Sequence, residues 1–238
     1  MCGRYALTLK QGKMAELYKL LDTVAVVPRY NIAPTQPVVA IWEGEARRAA
    51  HFARWGLVPG WVKDPRDFPL LINARAESMA EKPAFRHALK HGRCIVPASG
   101  YYEWHAGADG KKRPYYITRA DGQPMALAGL RAVWTGPEGE EIDSLATVTV
   151  PANAQLAAIH HRMAAILLDE AAQDAWLDVR GVRAQEAAQL ALPLPEGALK
   201  FHPVSSRVNS AREDDPGLIA EVAAERAEED RGGQMNLF

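Results

Sequence analysis

The stretch Cys94-Ile-Val-Pro-Ala-Ser-Gly-Tyr-Tyr-Glu-Trp-His105 sets the fold class. Two runs rich in β-branched and aromatic residues meet at Ser99-Gly100, the pattern of two strands parted by a bend. The pattern continues outward. Residues 113–118, 125–133 and 144–150 read as strands separated by Gly-rich turns, and residues 163–168 as a further short strand. Upstream, residues 2–9 read as extended, and residues 38–42 and 49–55 as strands about a Glu43-Gly44-Glu45 turn. Pro34 and Pro37 interrupt any ladder, so residues 31–37 read as a loop, and residues 59–69 form a second one containing Pro and Trp. Helical spacing is confined to shorter stretches. Met14, Leu17, Leu20 and Leu21 share a face over residues 13–21, and residues 77–91 read as a helix stopped by Gly92. Residues 154–159 begin another helix, and residues 169–178 and 183–190 add two more. Strands and helices intermingle without βαβ regularity and without an internal repeat, so the class is α+β.

With 238 residues and 48% apolar content, the chain suits one domain, residues 1–212, followed by a tail, residues 213–238. No apolar run reaches the length of a membrane span, and the N-terminus lacks the basic-then-apolar layout of a signal peptide, so a cytoplasmic location is expected. Cys2 and Cys94 stand outside any CxxC or Cys/His cluster, so no disulfide, metal or cofactor is expected. The formal net charge of −1 conceals an asymmetry. From Ala211 onward there are eight acidic and three basic residues, which leaves the body with 25 basic and 21 acidic ones, a net +4. A mildly basic body with an acidic tail suits nucleic acid, and an ordinary near-neutral enzyme fits the same numbers.

The chemistry starts at Met-Cys-Gly-Arg. A small second residue favours removal of the initiator Met, which leaves Cys2 with a free α-amine and a thiol on one framework. The amine titrates near 8 and a free thiol at about 8.5, so both are expected to be partly deprotonated near neutrality. Such a pair can form a Schiff base with an aldehyde and then close a five-membered thiazolidine. Three other stretches carry polar groups of matching chemistry. Asn73, Arg75 and Glu77 lie on one face if residues 71–77 are extended. Glu103 sits among aromatics in Gly100-Tyr-Tyr-Glu-Trp104, where burial would raise its carboxyl and suit it to general acid work, unless it simply faces solvent. Ile159-His-His-Arg-Met163 offers two imidazoles.

Taken in order, Cys2-Gly-Arg-Tyr, Arg29-Tyr-Asn-Ile-Ala-Pro34, Arg54-Trp-Gly-Leu-Val-Pro-Gly-Trp61, Ile72-Asn-Ala-Arg-Ala-Glu77, Gly92-Arg-Cys-Ile-Val-Pro97, Gly100-Tyr-Tyr-Glu-Trp104, Ile159-His-His-Arg-Met163 and His202-Pro-Val-Ser205 make the body resemble the SRAP family of abasic-site-processing, SOS-response-associated proteins. The likeness runs from Cys2 to about Asn209, with Ala164 standing where members often carry Pro. It implies a single domain built on a twisted, mainly antiparallel, open barrel-like sheet flanked by helices. It implies that the protein binds single-stranded DNA at abasic sites and forms a thiazolidine cross-link through Cys2, shielding the lesion from strand cleavage. Weak lyase activity and self-removal of Met1 belong to the same picture. The implied roles are Cys2 as nucleophile, Asn73 holding the Cys2 terminus or the sugar, Glu103 shuttling protons and His160 assisting ring opening. Arg4 and Arg75 would contact phosphates, and Trp55, Trp61 and Tyr101 would stack on bases, each of these rings being equally explicable as core packing.

The chain ends Gln234-Met-Asn-Leu-Phe238. This resembles the Gln-x-x-Leu-Phe peptide that docks bacterial proteins on the DNA sliding clamp, with Gln234 at a groove rim and Leu237 and Phe238 in an apolar pocket. A monomer associated with the nucleoid is expected. Two other readings stay open: an N-terminal-nucleophile peptidase or amidohydrolase, which needs an oxyanion hole, and a non-catalytic single-strand-binding module tethered to the clamp.

Overall fold

The structure, a computed structural model, describes residues 2–44, 48–107 and 109–223. In chain order its elements are Arg4–Leu7 (β1), Gln11–Leu17 (α1), Arg29–Ile32 (β2), Pro37–Glu43 (β3), Arg48–Trp55 (β4), Asn73–Arg75 (β5), Pro83–His91 (α2), Arg93–Ala98 (β6), Gly100–Ala106 (β7), Lys112–Arg119 (β8), Met125–Thr135 (β9), Glu141–Pro151 (β10), Ala154–Ala157 (α3), Arg162–Ala164 (β11), Glu170–Leu177 (α4), Ala184–Ala188 (α5) and Leu199–Pro203 (β12). This is the α+β arrangement expected from the pattern. Residues 29–32, whose last two fall in the expected loop 31–37, and residues 199–203 are strands that the pattern did not reveal.

Two sheets share the molecule. The smaller runs β12-β8-β7-β1-β2 and is antiparallel throughout. The larger follows β11-β10-β4-β3-β6-β9 and then returns, because β9 also pairs with β10. That last pairing closes a ring of five strands, β10-β4-β3-β6-β9, so the barrel-like sheet expected to be open is closed. All pairings in the larger sheet are antiparallel except β10 with β4 and with β5. The chain crosses from one sheet to the other at Ser99-Gly100. A side chain at Gly100 would meet the Tyr116 ring and the Ile117 carbonyl at 2.5–2.6 Å, so only glycine fits the crossing.

The ends of α1 and α2 have identifiable reasons. α1 stops four residues before the expected end, where Lys19 takes a left-handed φ of 53°. There the Leu20 N–H donates to Ala15 O and the Lys19 N–H to Glu16 O, the paired closure of a Schellman motif. α2 begins at Pro83 rather than at Glu77, since Pro is preset for the first helical position. Residues 77–82 turn instead, with the Glu77 carboxylate drawn out to Arg162. α2 does stop at Gly92, where a Cβ would lie 2.2 Å from Arg131 O.

One large core fills the space inside and beneath the larger sheet, with Tyr5, Trp55 and Tyr101 in it. A second cluster covers the other face of β1 and β7, where Ala6, Tyr102 and Tyr116 meet Val204, Val208 and Leu218. This places residues 213–222, expected to be tail, on the body. Asp214 accepts from the Tyr30 and Asn31 N–H groups, and Leu218 is fully buried. The acidic stretch therefore packs as far as Val222, whose N–H donates to Pro203 O at 3.0 Å. Glu45 of the expected turn, and Gln234, Leu237 and Phe238, lie outside the described residues.

Arg93 fastens α2 and α4 to β6. It is 1% exposed, and its guanidinium donates to the carbonyls of Trp176, Leu89 (3.0 Å), Asp178 (2.6 Å) and Val182 (2.9 Å). Replacing Arg93 with Met takes the guanidinium donor from the Trp176, Leu89 and Val182 carbonyls, while the Asp178 carbonyl keeps the Val182 N–H at 3.1 Å. Each orphaned buried group costs about 1–3 kcal/mol. R93M is expected to lose at least about 3 kcal/mol in urea titrations, with Tm lowered by roughly 6–12 °C.

A candidate active site around Cys2

The antiparallel register of β1 with β7 sets Arg4 opposite Tyr102 and Tyr5 opposite Tyr101. Carried one step further, it brings Cys2 and Gly3 alongside Glu103. Side chains alternate along a strand, so Glu103 shares the inward face of Tyr101 while Tyr102 and Trp104 turn to the second cluster. Glu103 is 2% exposed, which excludes the solvent-facing reading, and Cys2 is fully buried.

The larger sheet supplies the opposite wall. Asn73 in β5 donates from Nδ2 to the Cys2 carbonyl at 2.9 Å. Its Oδ1 accepts from the Thr147 hydroxyl at 2.7 Å. Two positions along β10, Thr149 accepts from Arg162 Nη2 through its carbonyl (2.6 Å) and its hydroxyl oxygen (3.2 Å). Arg162 also grips both carboxylate oxygens of Glu77 and holds that carboxyl below its ordinary range. This pair takes Glu77 off the strand face on which it was expected beside Asn73 and Arg75. The backbone of Arg162 holds the His160 ring at Nδ1, which lies 3.0 Å from its N–H and 3.2 Å from its carbonyl oxygen. His161 stacks on His160 with centroids 4.3 Å apart.

Burial dominates the electrostatics. It pushes the Cys2 thiol far up, and the nearby Glu103 carboxylate adds to that shift. Burial thus works against the partly ionised thiol expected from position alone and favours the S–H form. Burial also raises Glu103, against the opposing pull of the positive amino terminus. His160 is lowered, first by burial and then by the same positive charge. The site therefore favours a neutral thiol, a carboxyl of strengthened basicity and a neutral imidazole, which is a set suited to passing protons near neutrality.

The remaining expected residues divide. Arg75 is exposed, and Trp61 is 59% exposed with its edge against Phe68. Trp55 and Tyr101 are corrected: both are fully buried and present no face to a base. Trp55 packs edge-on to Tyr5 at 5.4 Å and donates to Ile72 O. Arg4 spends its guanidinium on Asn31 Oδ1 (2.8 Å), Val208 O (2.7 Å) and Asn209 O (3.2 Å), pinning the segment that covers β1. Sequence reasoning gave no role to Arg162, Thr147 or Thr149. The available signal was Thr-x-Thr within the otherwise apolar run Leu145–Val150, where a buried polar group needs a partner.

The raised Glu103 carboxyl has a consequence for stability. The folded chain holds that proton more tightly than the unfolded chain does. Glu103 therefore contributes stability below the ordinary carboxyl range and loses it as pH rises through the raised folded value. E103Q stays neutral throughout. Urea titrations are expected to find it more stable than wild type near pH 8, with the gap closing towards about pH 4.

The family model for SOS response associated peptidase (SRAP) matches residues 1–211. The abasic site processing protein YedK of Escherichia coli is 35% identical, over 93% of this chain and 100% of that protein. YoqW of Bacillus subtilis, named likewise, is 34% identical over 92% of this chain and 99% of its own length. The abasic site processing protein HMCES of Rattus norvegicus is 34% identical over 92% of this chain and 76% of its length. Among solved structures, a protein from Bacteroides thetaiotaomicron superposes with a TM-score of 0.83 at 26% identity, covering 93% of this chain and 100% of that one. The chain belongs to the SOS response associated peptidase (SRAP) family.

Proposed function

We propose that this protein processes abasic sites in single-stranded DNA by joining itself to them through Cys2. The observation that carries the reading is the seat of Cys2: its carbonyl is held by Asn73, and its sulfur lies within the field of a buried, raised Glu103. The curated relatives of similar length are named for abasic-site processing.

Removal of Met1 frees the α-amine of Cys2. An abasic deoxyribose is mostly a closed hemiacetal, and its opened form carries an aldehyde. Ring opening moves the anomeric hydroxyl proton to the ring oxygen, and the neutral His160 imidazole carries it, accepting the proton from the hydroxyl and returning it as imidazolium to the ring oxygen. The amine adds to the aldehyde carbon, the carbinolamine loses water with a proton from Glu103, and a Schiff base results. Sγ then attacks the imine carbon. The C–S bond forms as the C=N bond becomes single, and Glu103 carries the thiol proton to that nitrogen. Strengthened basicity at Glu103 matters here, because the sulfur starts as S–H. Exposed Arg75 contacts phosphate beside the lesion, and Trp61 stacks on a flanking base.

Denaturing gels of protein incubated with abasic single-stranded DNA are expected to show a stable shifted band for wild type and none for C2A. C2S retains the amine and forms a Schiff base that borohydride traps, yet gives no stable band without reduction. An equally stable C2S band would refute ring closure. DNA binding without any wild-type band would favour a non-catalytic binding module.

The chain end carries a second proposal, that Gln234-Met-Asn-Leu-Phe238 docks on the bacterial sliding clamp. A peptide of this sequence is expected to bind purified clamp and to lose affinity when Leu237 and Phe238 become Ala. Unchanged affinity in that variant removes the proposal.

A further inference from the structure

We propose that Thr147 is a positioning residue for the Cys2 chemistry, acting through the Asn73 side-chain amide. Thr147 in β10 lies directly opposite Asn73 in the parallel pairing with β5, and it is fully buried. The directions of the hydrogen bonds follow from what each atom can do. The Cys2 carbonyl only accepts, so the Asn73 NH2 group faces it, at 2.9 Å. Asn73 Oδ1 therefore faces β10 and also only accepts, so the Thr147 hydroxyl must donate, at 2.7 Å. The hydroxyl has a second acceptor in reach, Ile72 O at 3.3 Å, and the shorter bond takes the proton. The result is a relay from Thr147 O–H through the amide of Asn73 to the Cys2 carbonyl.

Thr147 can hold this geometry because it is β-branched, with few χ1 choices on a buried strand. The Thr147 N–H donates to Ile72 O at 3.0 Å, which ties the backbone of β10 to the residue preceding Asn73. Asn73 itself is only half-buried. Without the hydroxyl its Oδ1 loses a donor in a partly dry site, and the amide turns towards water to regain one. The Cys2 carbonyl is then released. The amine is bonded to the Cys2 Cα and the thiol to the Cβ beside it, so release of that peptide plane loosens both nucleophiles together. Thr147 thus sets the rate of the covalent steps and leaves DNA affinity alone.

This inference rests on the cross-linking reading, and one arm of its test does not. T147V keeps the shape and removes the hydroxyl; T147S keeps the hydroxyl. Cross-linking to abasic single-stranded DNA is expected to slow roughly tenfold in T147V, to stay near wild type in T147S, and to show unchanged affinity for intact single strands in both. In an N73A background, T147V is expected to slow the reaction no further. Independently of any cross-link, the Asn73 side-chain amide signals in 15N NMR are expected to shift and exchange faster in T147V and to keep their wild-type positions in T147S. An unmoved Asn73 amide in T147V, or equal slowing by T147V in the N73A background, overturns the proposal. If wild type forms no cross-link, the cross-linking reading falls, and the amide signals still decide whether Thr147 orients Asn73. Should T147V fold poorly by circular dichroism, T147A provides the same comparison.

Discussion

One strand, the eleven-residue Glu141–Pro151, organises the molecule. Its first seven residues close the barrel against β9, Ser144 and Leu145 meet β4, residues 147–149 carry β5, and residues 149–151 carry β11. Every backbone group along a buried strand must find a partner, so a strand with this many neighbours fixes all of them at once. Asn73 and the His160–Arg162 turn arrive at the site on that strand. Its two threonines complete the attachment, Thr147 through Asn73 and Thr149 through Arg162.

The site is assembled from the two sheets across their interface. β1 and β7 bring Cys2 and Glu103, and the larger sheet brings Asn73 and His160. The Asn73–Cys2 hydrogen bond links the halves at the site itself. Low polarity at this junction disfavours charge on each reacting group, whether thiol, carboxyl or imidazole. Ion-pair charge is set beside these groups, where buried Arg162 meets a half-exposed Glu77. Such a centre lowers resting stability and gains groups whose protons move easily, the usual exchange at a working site.

The arginines show how little residue type alone decides. Arg4, Arg93 and Arg162 all serve as interior struts that gather backbone carbonyls. Arg75, from the same motif-rich stretches, is exposed. From sequence, Arg4 and Arg75 looked equivalent as phosphate contacts. They differ because residues 206–213 fold over β1, and that long-range covering leaves no trace in local pattern. Trp55 and Tyr101 diverge from Trp61 for the same reason: all three rings sit beside glycine or proline, and only packing tells which one meets solvent.

By itself the sequence determined the class and the strand-rich middle, and it marked Asn73, Glu103 and His160 as expected companions of Cys2. Those follow from alternation, from the chemistry of an N-terminal aminothiol and from motifs in a recognisable order. Tertiary structure alone decided that the barrel closes, that residues 213–222 belong to the body, and that Glu103 points inward. On Gly100-Tyr-Tyr-Glu-Trp104 both strand faces are covered, so alternation could not say which one held the carboxyl. The ionisation of Cys2 was also decided there, because a thiol's charge depends on the polarity of what surrounds it, and residues more than seventy positions away supply that surrounding.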